Sequence, residues 1–386
     1  MLVLVGLIVA LFMLWKDEVR PAGALTSALI LKSRLSAVQR VAAEEAAANP
    51  PPSLVWVLLG DPHFQSYTLE SIRQAILMNP GVPLWLVCDE EFLGEQHEWS
   101  ERLKLLNVRR VYYADMLDEY TVAFDQAYND LWAGREGMMQ PTLNHRTNMD
   151  FTRTTMVRLL ALYRLMDVYG LRRIVHIEND QMIYGSVTAL ADAADGCAMR
   201  LGMSRVGQRR FAPAVVYVRD KEGFKELLDF MVDVMKSGSN AANTLSGGYP
   251  TDMTLTAAFF NAKAAESAVN ASMYAALPSS NDGSCVAKAS EQFYDGAGLG
   301  SWCCGDFYFP KKHFSVQLEG SSVRYWDMPS SGEGFVWRTD TGLRLPWWNA
   351  SRVFNLHMHN KQLHLFRSND LEIPKAAWDA APERNR

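Results

Sequence analysis

The chain has 386 residues, 38 Lys and Arg against 43 Asp and Glu, a formal charge of −5, 48% hydrophobic and 21% charged residues. That composition excludes overall disorder and collagen-like repetition, and an acidic balance without a Lys/Arg block excludes a phosphate-backbone binder, so no nucleic-acid partner is expected. A mean hydropathy of −0.11 excludes a polytopic membrane protein and leaves a globular body long enough for one large domain or two ordinary ones.

Met1 to Trp15 is an unbroken apolar run, MLVLVGLIVALFMLW, ended by Lys16, Asp17 and Glu18. As a helix it spans about 22 Å, short of the ~30 Å hydrocarbon core, so the length suits a signal-peptide core as well as a short anchor. No small-x-small cleavage site follows cleanly, which favours an uncleaved signal-anchor over a cleaved signal or an interfacial helix. Residues 16–53 read as a stalk: Leu31, Leu35, Val38 and Ala42 recur at helical spacing, and Pro50-Pro51-Pro52 then stops any helix.

From residue 54 short apolar runs alternate with helical stretches. Leu54–Leu59, Pro83–Cys88, Val108–Tyr113 and Ile174–Ile177 read as strands, with helices through Leu69–Leu77 and over Thr152–Tyr169, the latter capped by Gly170. Such alternation predicts an α/β fold, a mostly parallel, Rossmann-like sheet flanked by helices. Farther on, Gly196–Met203 and Ala212–Arg219 read as strands, Lys221–Lys236 as a helix and Thr251–Leu277 as one Ala-rich helix. The last third is loop- and Trp-rich (Trp302, Trp326, Trp337, Trp347, Trp348) and closes on a strand over Val353–His359. Residues 54–370 are taken as one domain with two lobes, and 371–386 as a tail.

Five cysteines, Cys88, Cys197, Cys285, Cys303 and Cys304, show no metal-ligand spacing. Cys88 lies in an apolar strand and reads as a core thiol; Cys285 with Cys303 or Cys304 is the pairing considered for an oxidising compartment. Asn270-Ala-Ser272 and Asn349-Ala-Ser351 are acceptor sequons, meaningful in a secreted or lumenal glycoprotein.

The most informative segment is Ile174-Val175-His176-Ile177-Glu178-Asn179-Asp180. An apolar strand delivers two carboxylates, two positions apart, to its C-terminal end, where open parallel sheets bind ligands. Oxygen donors there suit Mn²⁺ or Mg²⁺; a solvated acidic turn is the structural alternative. In Val353–Lys361 a period-two pattern puts Asn355, His357, His359 and Lys361 on one strand face, a poor core but a fitting lining for a diphosphate–metal site.

Glu-x-Asp at a strand end, an Arg-bearing helix before it and a late His together resemble the GT-A glycosyltransferases, nucleotide-sugar-dependent transferases of which many are Golgi type II membrane proteins. The ordered set is Arg158, His176–Tyr184, Asp252, Tyr294-Asp295-Gly296 and Asn355–Leu363, within residues 54–366. The resemblance implies a GT-A fold with a C-terminal acceptor-side lobe behind an N-terminal membrane helix. It also implies Mn²⁺ (or Mg²⁺) held by Asp180, by Glu178 directly or through water, and by His357 with His359 as runner-up. Arg158, Asp89, Glu178 and Lys361 would serve the nucleotide sugar, with Arg153 a further cation for the leaving phosphates; Asp252 would be the base and Asp295 an acceptor-site residue. The chain departs from the commoner Asp-x-Asp by having Glu first. The activity so implied is transfer of a hexose from a UDP-sugar to a glycan, glycoprotein or glycolipid, in the Golgi or ER lumen. A nucleotidyl- or phosphotransferase on a similar sheet, or a non-catalytic nucleotide- or glycan-binding protein, are the alternatives.

Overall fold

Strand β1 (Ser53–Leu58) is buried along its whole length because it lies between two neighbours and under helices on both faces. In the computed structural model the described residues are 50–60, 66–89, 97–133, 148–205, 211–246, 250–278, 284–295, 335–348, 351–358 and 363–369. They run β1, α1 (Ser66–Met78), β2 (Leu84–Cys88), α2 (His97–Leu105), β3 (Val108–Tyr112), α3 (Glu119–Trp132), α4 (Asn148–Tyr169), β4 (Ile174–Ile177), β5 (Gln181–Ile183), α5 (Val187–Gly196), β6 (Leu201–Arg205) and β7 (Phe211–Val218). Next come α6 (Lys221–Lys236), α7 (Ser239–Ser246), α8 (Asp252–Glu266), α9 (Ala268–Met273), β8 (Tyr274–Ala276), α10 (Cys285–Ser290), β9 (Gln292–Tyr294), β10 (Phe335–Asp340), β11 (Leu343–Trp348) and β12 (Ser351–His357). Among the described residues no helix is long and apolar enough to cross a membrane; the apolar run 1–15 and most of the expected stalk lie outside them. Pro52–Arg386 forms one compact unit by its own contacts.

Seven strands make the main sheet in the order β3-β2-β1-β4-β7-β6-β8. The β1–β4 side is parallel throughout, and β7 then runs antiparallel to both β4 and β6. The result is the expected α/β architecture, mixed at one side. Chain order moves outward from β1 through β2 to β3 and returns to β4 on the other flank, so strand order reverses between β1 and β4. By the general rule for open α/β sheets, a ligand crevice is expected at that switch point, outside the strands' C-terminal ends.

Period-two alternation sorts the core. Val55, Val57, Ile174 and Val216 face α3, α4 and α6, while Leu54, Trp56, Val175 and Val215 face α1 and α5. Helix α4 is the main buttress: Leu159 to Leu162, Leu165 and Met166 are all excluded from water. It ends as its sequence indicates, at Gly170 with φ +62° and with Leu171 N donating to Met166 O at 3.0 Å. Glycine meets that left-handed position without Cβ strain and lets the last turn close.

A second sheet, β10-β11-β12-β5 with β9 alongside β12, forms the C-terminal lobe around Met182, Tyr184, Trp348, Val353 and Leu356. Trp348 belongs to this core, with Trp337 and Trp347 packed on its margin; Trp302 and Trp326 lie outside the described residues.

Three sequence expectations are corrected. Residues 251–277 are not one helix: Ser267 is extended (φ −168°, ψ 159°), ends α8 and caps α9 by accepting from Asn270 N, a bond that competes with helix continuation. Residues 196–200 are not strand; β6 starts at Leu201, after α5 has ended at Gly196. Cys285 pairs with Cys197, 88 residues away at a Cα separation of 5.8 Å, joining the C-cap of α5 to the first residue of α10. Cys303, Cys304 and Asn349 lie outside the described residues, and Cys88 is a buried free thiol whose pKa burial pushes up to about 12.

The second sheet closes tightly on Gly185, two residues after β5. A Cβ there would stand 2.1 Å from Gln292 Oε1 and 2.3 Å from Phe354 Cδ2, atoms of β9 and β12. Gly185→Ala is therefore expected to destabilise the fold by about 3 kcal/mol, the range of overpacking a closed core. Urea denaturation of variant and wild type checks this; equal midpoints would mean the contact relaxes freely.

Candidate functional site

The chain leaves the main sheet and enters the second one through a single tight turn. β4 ends at Ile177, residues 178–180 turn with Gln181 N bonded to Glu178 O at 3.2 Å, and β5 begins at Gln181. Glu178 N still bonds to Ala214 O of β7, whereas Asp180 O accepts from Met358 N just past β12. The two carboxylates are thus fixed from opposite sheets. Antiparallel pairing of His357 with Gln181 then brings in the imidazole from β12.

Glu178, Asp180 and His357 each offer a ligand atom, and these atoms all lie within 4.8 Å of one another. His357 Nε2 stands 3.2 Å from Asp180 Oδ1 and 3.5 Å from Glu178 Oε2. Asp180 and His357 are buried, and Glu178 is nearly so. Two carboxylate oxygens and one imidazole nitrogen form a donor set that suits Mn²⁺ or Mg²⁺. The residues present fit such an ion.

Arg158, from α4, reaches this cluster from the side. Its Nη1 donates to Glu178 Oε1 at 2.5 Å, and its Nη2 lies 3.5 Å from Asp252 Oδ2. Glu178 therefore gives one oxygen to the guanidinium and turns the other toward His357. Burial alone would push the Glu178 pKa up, but Arg158 and then His357 outweigh it and hold the carboxyl below its usual range. Asp252 shows the opposite balance: burial dominates, the more distant Arg158 only partly offsets it, and the pKa is raised. Asp252 is the first residue of α8, behind a capping box in which Thr251 and Thr254 satisfy each other's backbone N–H.

His176, on β4 beneath the cluster, is completely buried and its Nδ1 lies 3.0 Å from Val55 O. A carbonyl oxygen accepts only a donor, so Nδ1 carries the proton. Burial first and Arg158 second push its pKa down to about 3. The ring stays neutral beside a guanidinium.

The other expected site residues fall as follows. Asp89 accepts from Gly60 N at 2.7 Å, tying the ends of β1 and β2 together at the crevice. Gly60 has φ +70°, and a Cβ there would lie 2.9 Å from Thr154 Oγ1 on α4, so glycine is required twice over. Asp295 is only 2% exposed and accepts from His357 N through Oδ2 at 3.1 Å. Arg153 pairs with Asp125 at an exposed position. His359 and Lys361 lie outside the described residues. Sequence reasoning passed over Gln181 and read Asn355 as part of a site-lining strand face; both are fully buried and bonded to each other at 2.7 Å beside the cluster. Their only signal is an amide inside an otherwise apolar strand.

No protein-family model and no curated protein matches this sequence. Among solved structures the chain is similar to PaToxG glycosyltransferase, at 14% identity and TM-score 0.36 over 60% of this chain and 78% of that one. It is also similar to galactosyltransferase LgtC in complex with donor and acceptor sugar analogues, at 13% identity and TM-score 0.31 over 50% and 70%. A third is the apo glycosyltransferase GlyE of Streptococcus pneumoniae TIGR4, at 10% identity and TM-score 0.32 over 58% and 45%. These similar structures are all glycosyltransferases.

The buried His176 has a thermodynamic consequence. Its folded pKa lies below the ordinary 6.5, so under that pH the unfolded chain binds a proton that the folded chain does not. Stability is full above pH 6.5 and is lost as pH falls toward about 3. This group is expected to cost about 2 kcal/mol between pH 7 and pH 5. Urea denaturation at both pH values in EDTA should show a shallower loss in His176→Gln than in wild type; parallel losses would mean His176 protonates in the folded state.

Proposed function

We propose that this protein is a divalent-metal-dependent glycosyltransferase of the GT-A type, which moves a hexose from a UDP-sugar to a glycan, glycoprotein or glycolipid acceptor. The observation that carries this reading is the Glu178–Asp180–His357 cluster at the C-terminal end of β4, beside the switch point of the sheet. Glu178 Oε2, Asp180 and His357 would hold Mn²⁺ (or Mg²⁺), which when bound supplies positive charge to the leaving diphosphate.

The chain's own groups account for the rest. Arg158 pairs with Glu178 and reaches Asp252 at 3.5 Å, so its first task is to orient the two carboxylates. Asp89 and Gly60 line the end of β1 and β2, the level assigned to the nucleotide base, and Lys361 is kept as a further partner of the leaving phosphates. Asp252 is the base: burial raises its basicity, and Arg158 keeps it oriented. In the step proposed, the bond from the anomeric carbon to the diphosphate oxygen breaks and a bond to the acceptor oxygen forms. The acceptor's proton passes to Asp252 and the electron pair leaves with the nucleoside diphosphate, giving inversion. The burial of these charges makes each electrostatic contact stronger than it is in solution.

The Cys197–Cys285 disulfide supports placement in an oxidising compartment. With the apolar run at residues 1–15 it fits a lumenal catalytic body on a type II signal-anchor in the Golgi or ER.

The test is nucleoside-diphosphate release by the full-length chain across a panel of nucleotide sugars, with Mn²⁺ or with EDTA. Release with one donor, abolished by EDTA and by Asp180→Ala, is the expected result. Asp252→Asn should lower kcat by 10²–10⁴-fold, the range for a general base, with Mn²⁺ binding retained. Pyrophosphate or phosphate transfer in place of nucleoside-diphosphate release would identify a nucleotidyl- or phosphotransferase. Tight Mn²⁺–UDP binding without turnover of any donor would identify a non-catalytic binding protein.

A further inference from the structure

Asp295 stands where an acceptor-site carboxylate is expected from sequence, yet its surroundings give it different work. It closes β9, which runs parallel to β12 with an irregularity between Val353 and Asn355. Its Oδ2 accepts from the backbone N–H of His357 at 3.1 Å. Asp295 N donates to Asn355 Oδ1 at 3.1 Å, while Asn355 Nδ2 donates to Asp295 O and to Gln181 Oε1, each at 2.7 Å. One amide thus joins three strands: β9 through Asp295, β12 through its own backbone, and β5 through Gln181, the residue after Asp180.

Asp295, Asn355 and Gln181 are 2%, 0% and 0% exposed, and their hydrogen bonds run to one another and to the His357 backbone. Burying a carboxylate and two amides this deeply is costly unless their hydrogen bonds hold something that matters. What they hold is the register of β12 against β5, and that register sets the distance from His357 to Asp180. A shift of one residue would turn the His357 side chain to the opposite face of the strand.

We propose that Asp295 and Asn355 are positioning residues for the metal ligand His357, and that neither touches the substrate. This rests on the metal-site reading above. Ligand-orienting partners of this kind contribute about 10–100-fold to metal affinity when removed.

The experiment measures Mn²⁺ binding to the full-length chain by calorimetry, together with turnover as a function of Mn²⁺ concentration. Asp295→Ala and Asn355→Ala are expected to weaken Mn²⁺ binding about 10–100-fold. In Asp295→Asn, which keeps an oxygen acceptor of the same shape, the loss should be smaller and fall on the Mn²⁺ concentration for half-maximal turnover rather than on kcat. Circular dichroism in EDTA reports folding; should the alanine variants fail to fold, the Asp295→Asn pattern decides alone. Unchanged Mn²⁺ affinity in the folded variants overturns the inference. So does a loss of kcat beyond about 100-fold in Asp295→Asn at saturating Mn²⁺, which is the mark of a general base. Wild-type binding that Asp180→Ala abolishes shows the metal reading intact in either case. A wild type that binds no Mn²⁺ ends the metal reading itself, and this inference with it.

Discussion

Everything around the candidate site follows from an excess of buried negative charge at a point where two sheets meet. Glu178, Asp180, Asp252 and Asp295 are brought together with Arg158 as the guanidinium bonded among them in the described residues. Carboxylates taken out of water repel one another and cost several kcal/mol each unless they are paired or coordinate a cation. Arg158 serves two of the four, and Asp295 is spent on a backbone N–H. At Glu178 Oε2 and Asp180 Oδ1, His357 adds a neutral-capable nitrogen. A divalent ion is the simplest species that satisfies this donor set.

The fold supplies the rigidity that such a concentration of charge needs. Helix α4 lies on β1 and β4 with most of its length sealed in the core, so Arg158 projects from a fixed element. The turn at residues 178–180 is held from both sides, by Ala214 of β7 and by Met358 beyond β12. Glu178 and Asp252 share one guanidinium yet shift in opposite directions. Glu178 has Arg158 at hydrogen-bonding distance and is held low, whereas at 3.5 Å the attraction to Asp252 is too weak to overcome burial. A carboxylate held ionised at the candidate metal cluster and a more basic carboxylate nearby are what the proposed transfer would require, and distance to one Arg sets both.

Stability and the geometry of the candidate site are coupled through the same polar contacts. His176 is held neutral by burial, and its proton is committed to Val55 O, which locks β4 against β1 beneath the carboxylates. The disulfide from Cys197 to Cys285 anchors α10, from which β9 leads directly to Asp295. Positions far apart in sequence therefore act on His357 through short chains of backbone and amide contacts.

The sequence by itself determined the parallel half of the main sheet, β1 to β4, because runs such as Leu54–Leu59 and Pro83–Cys88 are apolar on both faces, as interior strands are. It also determined that Glu178 and Asp180 stand at the open end of one of them, and that α4 stops at Gly170. The tertiary structure alone decided how those parts are used. Which cysteine meets Cys285 depends on a 5.8 Å separation between residues 88 apart, which no local pattern encodes. The break at Ser267 was decided by one side-chain bond against many good helix formers. By sequence Asn355 reads as part of a site-lining strand face and Asp295 as an acceptor-site residue; pairing β12 between β5 and β9 buried both and bonded them to each other, and Asp295 to the His357 backbone. Local periodicity fixes what a segment is, whereas long-range pairing fixes what it faces, and hydrogen-bond partners belong to the second kind of information.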